Sequence, residues 1–313
     1  MAGGDPVSTL GQAAVDYVAV RRALGYKLRG HDRLLADFVD HLERVGVGTV
    51  TTAMAVAWAT APAGVSSARW AQRLSVVRGF ARHLRCSDPA TEVPPADALI
   101  GERRRPTARL FTDDEIAALV TAASALQPAL RAATYQTLFG LLAVSGLRVG
   151  EAIRLDRGDV DIEAGIVTID DTKFRKHRRL PLHPTTVAAL TDYVEIRERV
   201  CPFPKSPAFF VSTRGTRLQD VCVHKAFNRI VATAGLDQQP QDARPRVHGF
   251  RHSFAVATLA GWYREGADAV TMLPVLSAYL GHADPAYTYW YLQASPELLG
   301  LAAERLDRWE QQR

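Results

Sequence analysis

The sequence predicts a mainly α-helical protein of two domains, an all-α N-terminal domain followed by an α+β domain with one small antiparallel β-sheet. Three observations carry that fold class. The chain has 313 residues, and at roughly 100–200 residues per domain that makes two domains. Apolar residues recur at helical spacing through the first third, with no alternating stretch before residue 160. Beyond it, one pair of alternating segments stands among further helical stretches.

The first third supplies three helices, over Leu10–Leu24, His31–Val45 and Ser67–Leu84. Trp70, Leu74, Val77, Ala81 and Leu84 form the clearest stripe. Gly46-Val47-Gly48 and Ala61-Pro62-Ala63-Gly64 break the chain between them. From Asp88 to Arg109 periodicity fades, four prolines appear, and Arg103, Arg104 and Arg105 stand together. That stretch reads as an interdomain linker at about 88–111, dividing residues 1–105 from 112–313. The arginine triplet is equally a solvated tether or a phosphate contact.

The second domain opens on Thr112-Asp113-Asp114-Glu115, a capping box in which the threonine hydroxyl and the glutamate satisfy two free backbone N–H groups. An apolar helix follows from about Pro128 to Val144. Gly165–Asp170 alternates as a strand, with Arg178–Leu182 as its hairpin partner and Ala208–Val211 as a further short strand. Helices resume near Val187, Val221, Phe250 and Val270. Asp284-Pro285 and Ser295-Pro296 are each an N-cap followed by proline at the first helical position.

Composition excludes several classes. An apolar share of 47% and a charged share of 23% are those of a chain that buries real cores. The three cysteines, Cys86, Cys201 and Cys222, make neither a disulfide framework nor a CxxC site. The start, MAGGDPVSTL, lacks the basic and apolar regions of a signal peptide, and the longest apolar stretch, about Leu138–Leu147, is too short to span a bilayer. The expectation is a cytoplasmic protein without membrane partners. A net charge of +5 mildly favours a polyanion. Residues 1–105 carry 14 basic and 10 acidic side chains and the remainder 24 and 23, so any nucleic-acid surface is a local patch. Of 38 cations only 5 are lysines, a bias that a GC-rich genome explains, and two of those, Lys173 and Lys176, fall within four residues.

Four patterns carry chemistry. Ser145-Gly146-Leu147-Arg148-Val149-Gly150-Glu151 turns into a helix start, where free N–H groups and an arginine suit a phosphate, although an Arg–Glu ion pair explains it alone. Thr172–Arg179 holds five cations and no acid at a hairpin tip; a lysine there can release a proton, which a guanidinium cannot. In His248-Gly249-Phe250-Arg251-His252, His248 and Arg251 share a helical face and can hold one oxyanion; His248 and His252 also have the i, i+4 spacing of a metal pair, without an HExxH glutamate. Finally, His282 precedes a short helix with Tyr287, Tyr289, Trp290 and Tyr291. An aromatic run on a helix is ordinarily core, which is the expectation for Tyr287, Tyr289 and Trp290, while one tyrosine flanked by cations can serve as a nucleophile.

In their order, SGLRVGE, TKFRKHRRLPL, HGFRHSFA and LGHADPAYTYWY, these segments resemble the tyrosine recombinase (phage integrase) family, with Tyr291 nine residues after His282. The resemblance covers nearly the whole chain, residues 1–105 resembling that family's DNA-binding core-binding domain and 112–313 its catalytic domain. It implies a site-specific DNA recombinase acting on double-stranded DNA through a covalent 3′-phosphotyrosyl intermediate, with no cofactor and no metal. It implies Arg148 and Arg251 as the phosphate clamp and Tyr291 as nucleophile. Lys173 would be the general acid, with Lys176 as its competitor, His248 would move a proton at the tyrosine, and His282 would bond the phosphate. It further implies a homo-tetramer on DNA, with Pro296–Trp309 docking on a neighbour or packing back on its own domain, and a part for other recombinases or accessory proteins. The long Arg251–His282 segment, with its extra length around Trp262–Asp268, is more similar to recombinases of transposons and integrative elements. The length leaves little room for an additional arm-site domain. Two other readings share these residues: a type IB topoisomerase-like enzyme, and a non-catalytic DNA-binding protein on the same fold.

Overall fold

The structure, a computed structural model, describes residues 9–28, 30–101, 109–171, 176–238, 244–282, 284–293, 297–301 and 303–304. The chain divides into two compact units, Met1–Arg105 and Pro106–Arg313.

The first unit is built from α1 (Thr9–Ala23), α2 (His31–Val45), α3 (Thr52–Thr60) and α4 (Ser67–Leu84). Helix α3 had no counterpart in the sequence reading, because TAMAVAWAT is apolar on nearly every side and offers no stripe. Its N-cap is Thr51, whose hydroxyl accepts the Met54 N–H. The core joins Leu35, Phe38 and Leu42 of α2, Ala55 and Trp58 of α3, and Leu74, Val77 and Phe80 of α4. Each such large side chain contributes about 1.5–3 kcal/mol on burial. Within this core Arg73 lies 3.7 Å over the Trp58 ring and donates to the Trp58 carbonyl at 3.1 Å, while Asp37 accepts from the Trp58 indole at 3.1 Å. Residues 88–101 form no helix or strand, yet they are tied to this unit: Glu92 accepts the Thr52 N–H at 2.8 Å, and Arg78 donates to the Pro94 and Pro95 carbonyls. The triplet Arg103–Arg105 lies outside the described residues.

The second unit begins with α5 (Asp113–Ser124), closed by the capping box of Thr112 and Glu115, and α6 (Ala129–Ser145). A single turn, α7 (Val149–Ala152), leads to an antiparallel sheet of β1 (Val160–Asp161), β2 (Ile166–Asp171) and β3 (Lys176–Pro181), in that order. The register pairs Val167 with Leu180 and Ile169 with Arg178. Helices α8 (Pro184–Val200), α9 (Asp220–Thr233), α10 (His248–Arg264), α11 (Ala269–Leu280) and α12 (Ala286–Tyr289) follow, with a 3-10 turn over Trp290–Gln293. Helix α6 packs against α5, α8 and α10. Phe139 of α6 meets Phe227 of α9 and Phe250 of α10 at 5.4 and 5.7 Å between ring centroids, and this aromatic cluster fixes the start of α10. Gly249 is packed so closely there that a Cβ would stand 2.6 Å from Phe111 Cε2.

Three expectations are corrected. Ala208–Val211 is no strand: it makes one isolated bridge at each end and gives its backbone to side chains and loops, with Val211 donating to the Tyr193 hydroxyl and Ala208 accepting from Arg197. Lys176 and His177 belong to β3 rather than to the hairpin tip, because the ladder extends to the Asp171–Lys176 pair. Tyr287 and Tyr289 are 51% and 48% exposed rather than core. The inward positions on that short turn are Thr288 and Tyr291, three residues apart and both buried. At residues 297–301 the chain is again helical; Leu298 packs into its own unit and Leu299 is exposed, while Pro296 and Leu306 lie outside the described residues.

Candidate active site

The site forms where three turns meet. Gly146, ending α6 at a φ of 61°, lets the chain reverse sharply; a Cβ at that position would stand 2.5 Å from the Phe254 ring. The reversal places Arg148 at the start of α7. There its backbone N–H donates to Glu151 Oε2 at 2.9 Å and its Nη1 to Glu151 Oε1 at 2.8 Å. The same guanidinium reaches the Gly281 carbonyl at 3.3 Å, at the end of α11. Arg251, in the first turn of α10, is 1% exposed and donates to the Gly146 carbonyl and the Leu280 carbonyl, both at 2.8 Å. One guanidinium thus ties the α6 turn to the α11 turn, and the second lies along the same edge.

Around this pair stand three histidines and one tyrosine. The rings of His248 and His252 meet edge to face at 4.5 Å, and His252 meets Tyr291 at 5.6 Å. His282 lies nearly parallel to Tyr291 at 6.2 Å, and its Nδ1 bonds the Thr288 hydroxyl at 2.7 Å. Tyr291 is 3% exposed and packs with Ala255, Leu259, Leu276 and Leu298.

Burial and the two arginines set the charges. His248 is pushed down to about 4 by burial, then by Arg251 and Arg148. His282 is pushed down to about 4 by burial, then chiefly by the same two arginines. His252 is lowered to about 3 by burial and by His248. All three are therefore neutral imidazoles at neutral pH. Burial pulls Arg251 down to about 10, leaving it charged. Burial raises the Tyr291 phenol above its ordinary value, against the opposing pull of Arg251 and then Arg148. At Glu151 burial works upward, but Arg178, the Arg148 N–H and the Arg148 charge outweigh it, so the carboxylate stays ionised.

Five of the six residues singled out in the sequence, Arg148, His248, Arg251, His282 and Tyr291, therefore surround one small volume rich in cationic donors. Lys173 lies outside the described residues, on the segment joining β2 to β3. Among the described residues no cluster of three or more His, Cys, Asp or Glu side chains is arranged to hold a metal ion. Two residues of the site were missed by sequence reasoning. His252 stands between His248 and Tyr291; its place beside Arg251 in the motif was the available signal, read only as half of a metal pair. Arg178 reaches Glu151 at 2.8 Å from β3, 27 residues along the chain; the cation cluster Thr172–Arg179 was the available signal, read without singling this residue out.

Residues 109–297 match the model of the phage integrase family. The chain is 42% identical over 311 residues to the y4rB protein of Sinorhizobium fredii, whose name is that of an integrase/recombinase, covering 97% of this chain and 99% of that one. It is 31% identical to the tyrosine recombinase XerC of Azotobacter vinelandii over 289 residues, 87% of this chain and 86% of that one. In structure it is similar to XerH, a site-specific recombinase bound to its palindromic difH substrate in a post-cleavage complex. The TM-score is 0.68 at 18% identity, over 96% of this chain and 85% of that one.

Proposed function

The chain belongs to the phage integrase family, and from that premise we propose that Arg148, Lys173, His248, Arg251, His282 and Tyr291 carry out its DNA strand cleavage and rejoining. The enzyme is a tyrosine-type recombinase. The single observation that carries the assignment is the convergence of Arg148 and Arg251 on the turns that flank His282 and Tyr291.

A phosphodiester entering the site meets guanidinium donors on two elements, and charge that develops on its oxygens in the transition state is stabilised most. The Tyr291 hydroxyl attacks phosphorus, forming a phosphotyrosyl bond as the bond to the 5′ oxygen breaks. Its proton passes to His248, whose neutral ring is free to accept it. Lys173 gives a proton to the departing 5′ oxygen, and His282 donates to a phosphate oxygen. A 5′ hydroxyl of a second duplex then attacks the same phosphorus and releases Tyr291. The phosphate bond is conserved in the protein throughout, so the exchange balances without an external energy source. The first unit grips the duplex beside the cleavage point. The active form is a homo-tetramer on two duplexes, working in the cytoplasm on a mobile element, alone or with other recombinases. Among the described residues no helix is long and apolar enough to cross a membrane.

Covalent trapping tests the assignment. Wild type and Tyr291→Phe are expressed beside the source genomic DNA and denatured in detergent with chelator, and protein-linked DNA is sequenced. Links from wild type alone, at a few sites, are expected and define the target duplex. Equal recovery from both proteins moves the nucleophile elsewhere, with Tyr289 next to examine.

A further inference from the structure

One side chain outside that set touches two of its motifs. Arg178 sits on β3 with its side chain 14% exposed. Its Nη2 donates to Glu151 Oε2 at 2.8 Å. The same oxygen accepts the Arg148 backbone N–H, and the other oxygen accepts Arg148 Nη1. The two arginines thus share one carboxylate that is itself 5% exposed. On its other side the Arg178 guanidinium lies flat against Gly281, where a Cβ would stand 2.5 Å from Nη1 and 2.9 Å from Cζ. Gly281, at a φ of 67°, ends α11 immediately before His282 and gives its carbonyl to Arg148.

A buried ion pair is a weak source of stability, since apolar residues of equal volume usually serve as well. Arg178 is costlier still, because its buried Nε has no hydrogen-bond partner among the described residues. What it supplies is geometry: a planar fork that fixes Glu151 from one side and the Gly281 turn from the other. We propose that Arg178 is a positioning residue for strand cleavage, holding the Arg148 guanidinium through Glu151 and the His282 turn through Gly281. This rests on the assignment of Arg148 as a phosphate clamp.

The test compares wild type, Arg178→Met and Arg178→Lys on two synthetic duplexes containing the junction recovered by trapping. One carries the natural phosphodiester at the cleavage point. The other carries a methylphosphonate there, in which a methyl group replaces a charged oxygen, so the transition state depends less on a correctly aimed arginine. Relative to wild type, Arg178→Met is expected to slow covalent linkage roughly 100-fold on the phosphodiester and less than about tenfold on the methylphosphonate, with duplex affinity unchanged. Arg178→Lys keeps the charge without the fork and falls between. Equal losses on the two duplexes would mark general damage and overturn the proposal, as would full activity on the phosphodiester. Should Arg178→Met fail to melt cooperatively, the same ratio is read on Arg178→Lys. If wild type binds the duplex but forms no Tyr291-dependent link, the Arg148 assignment itself fails and takes this proposal with it.

Discussion

The neutral histidine pair makes the protein acid-sensitive by a calculable amount. His248 and His252 have folded-state pKa values pushed down to about 4 and about 3. In the unfolded chain both return to about 6.5. Because the folded values are depressed, the pair costs nothing above pH 6.5, and stability is lost as pH falls from 6.5 toward 4. At pH 5 each unfolded imidazole has gained a proton that the folded one refuses. At about 1.4 kcal/mol per pH unit over about 1.5 units, that is about 2 kcal/mol for the half-buried His252; the His248 side chain is exposed, so solvent screening leaves its share at about 1 kcal/mol, or about 3 kcal/mol together. For a unit of this size 1 kcal/mol moves the midpoint by about 2–4 °C, so the second unit should melt about 6–12 °C lower at pH 5 than at pH 7. His282, also lowered to about 4, acts in the same direction. Calorimetry on the full chain separates this transition from that of the first unit. The control is His248→Asn/His252→Asn, in which the drop between the two pH values should shrink by about that amount. An equal drop in the double variant would show that these rings are not held neutral, and His248 would then lose its standing as the acceptor of the Tyr291 proton.

Three further outcomes follow from the packing. Gly249→Ala drives a Cβ into Phe111 at 2.6 Å, costing about 1–3 kcal/mol. Because it displaces the turn that bears His248 and Arg251, covalent linkage should fall further than a melting curve alone would explain. Arg251→Lys keeps a charge but cannot span the Gly146 and Leu280 carbonyls; linkage should fall at least about 100-fold in single-turnover trapping, and the midpoint should drop with an orphaned buried carbonyl worth about 1–3 kcal/mol. Arg73→Met removes the donor to the Trp58 carbonyl and the cation over the indole. Calorimetry should show the first unit destabilised by about 1–3 kcal/mol with the second transition unmoved.

Legibility in the sequence followed the range of the interaction that decides each feature. Helices α2 and α4 announce themselves by stripes, and α5 by Thr112 and Glu115, because caps and amphipathic faces are local. Arg251 and Tyr291 were named by motif spacing, and the fold brings both to the turns around His282. Helix α3 was silent, since apolar residues on nearly every side erase periodicity, although only Ala55, Trp58 and Ala59 are buried. Ala208–Val211 looked like a strand because a short apolar run between turn residues reads as one. Only the fold shows that Leu155, Tyr193 and Arg197 take the place of a neighbouring strand. Tyr287 and Tyr289 were misjudged because the segment shifts into a 3-10 turn at Trp290, leaving them outward and Tyr291 inward. Arg178 was legible only as one cation of the Thr172–Arg179 segment: its partners, Glu151 and Gly281, lie 27 residues before it and about a hundred after it, and no local period links them.

Under the proposed assignment, Tyr291 shows why a core position suits a nucleophile. A phenol in open water with arginines nearby would gain little from them, because solvent screens the charges. Buried among Ala255, Leu259, Leu276 and Leu298, it is held protonated by desolvation, while the field of Arg251 and Arg148 pulls the other way. The two effects are opposed in the resting site, so the balance can be altered by whatever changes the environment of the hydroxyl. A phosphate bound by the arginines would neutralise part of that field and make the phenolate harder to form. Attack therefore requires that the proton leave as the bond to phosphorus forms, so that negative charge passes directly to the phosphate oxygens. A neutral acceptor meets that requirement, and under the proposed assignment it is His248, whose ring touches His252 as His252 in turn touches Tyr291.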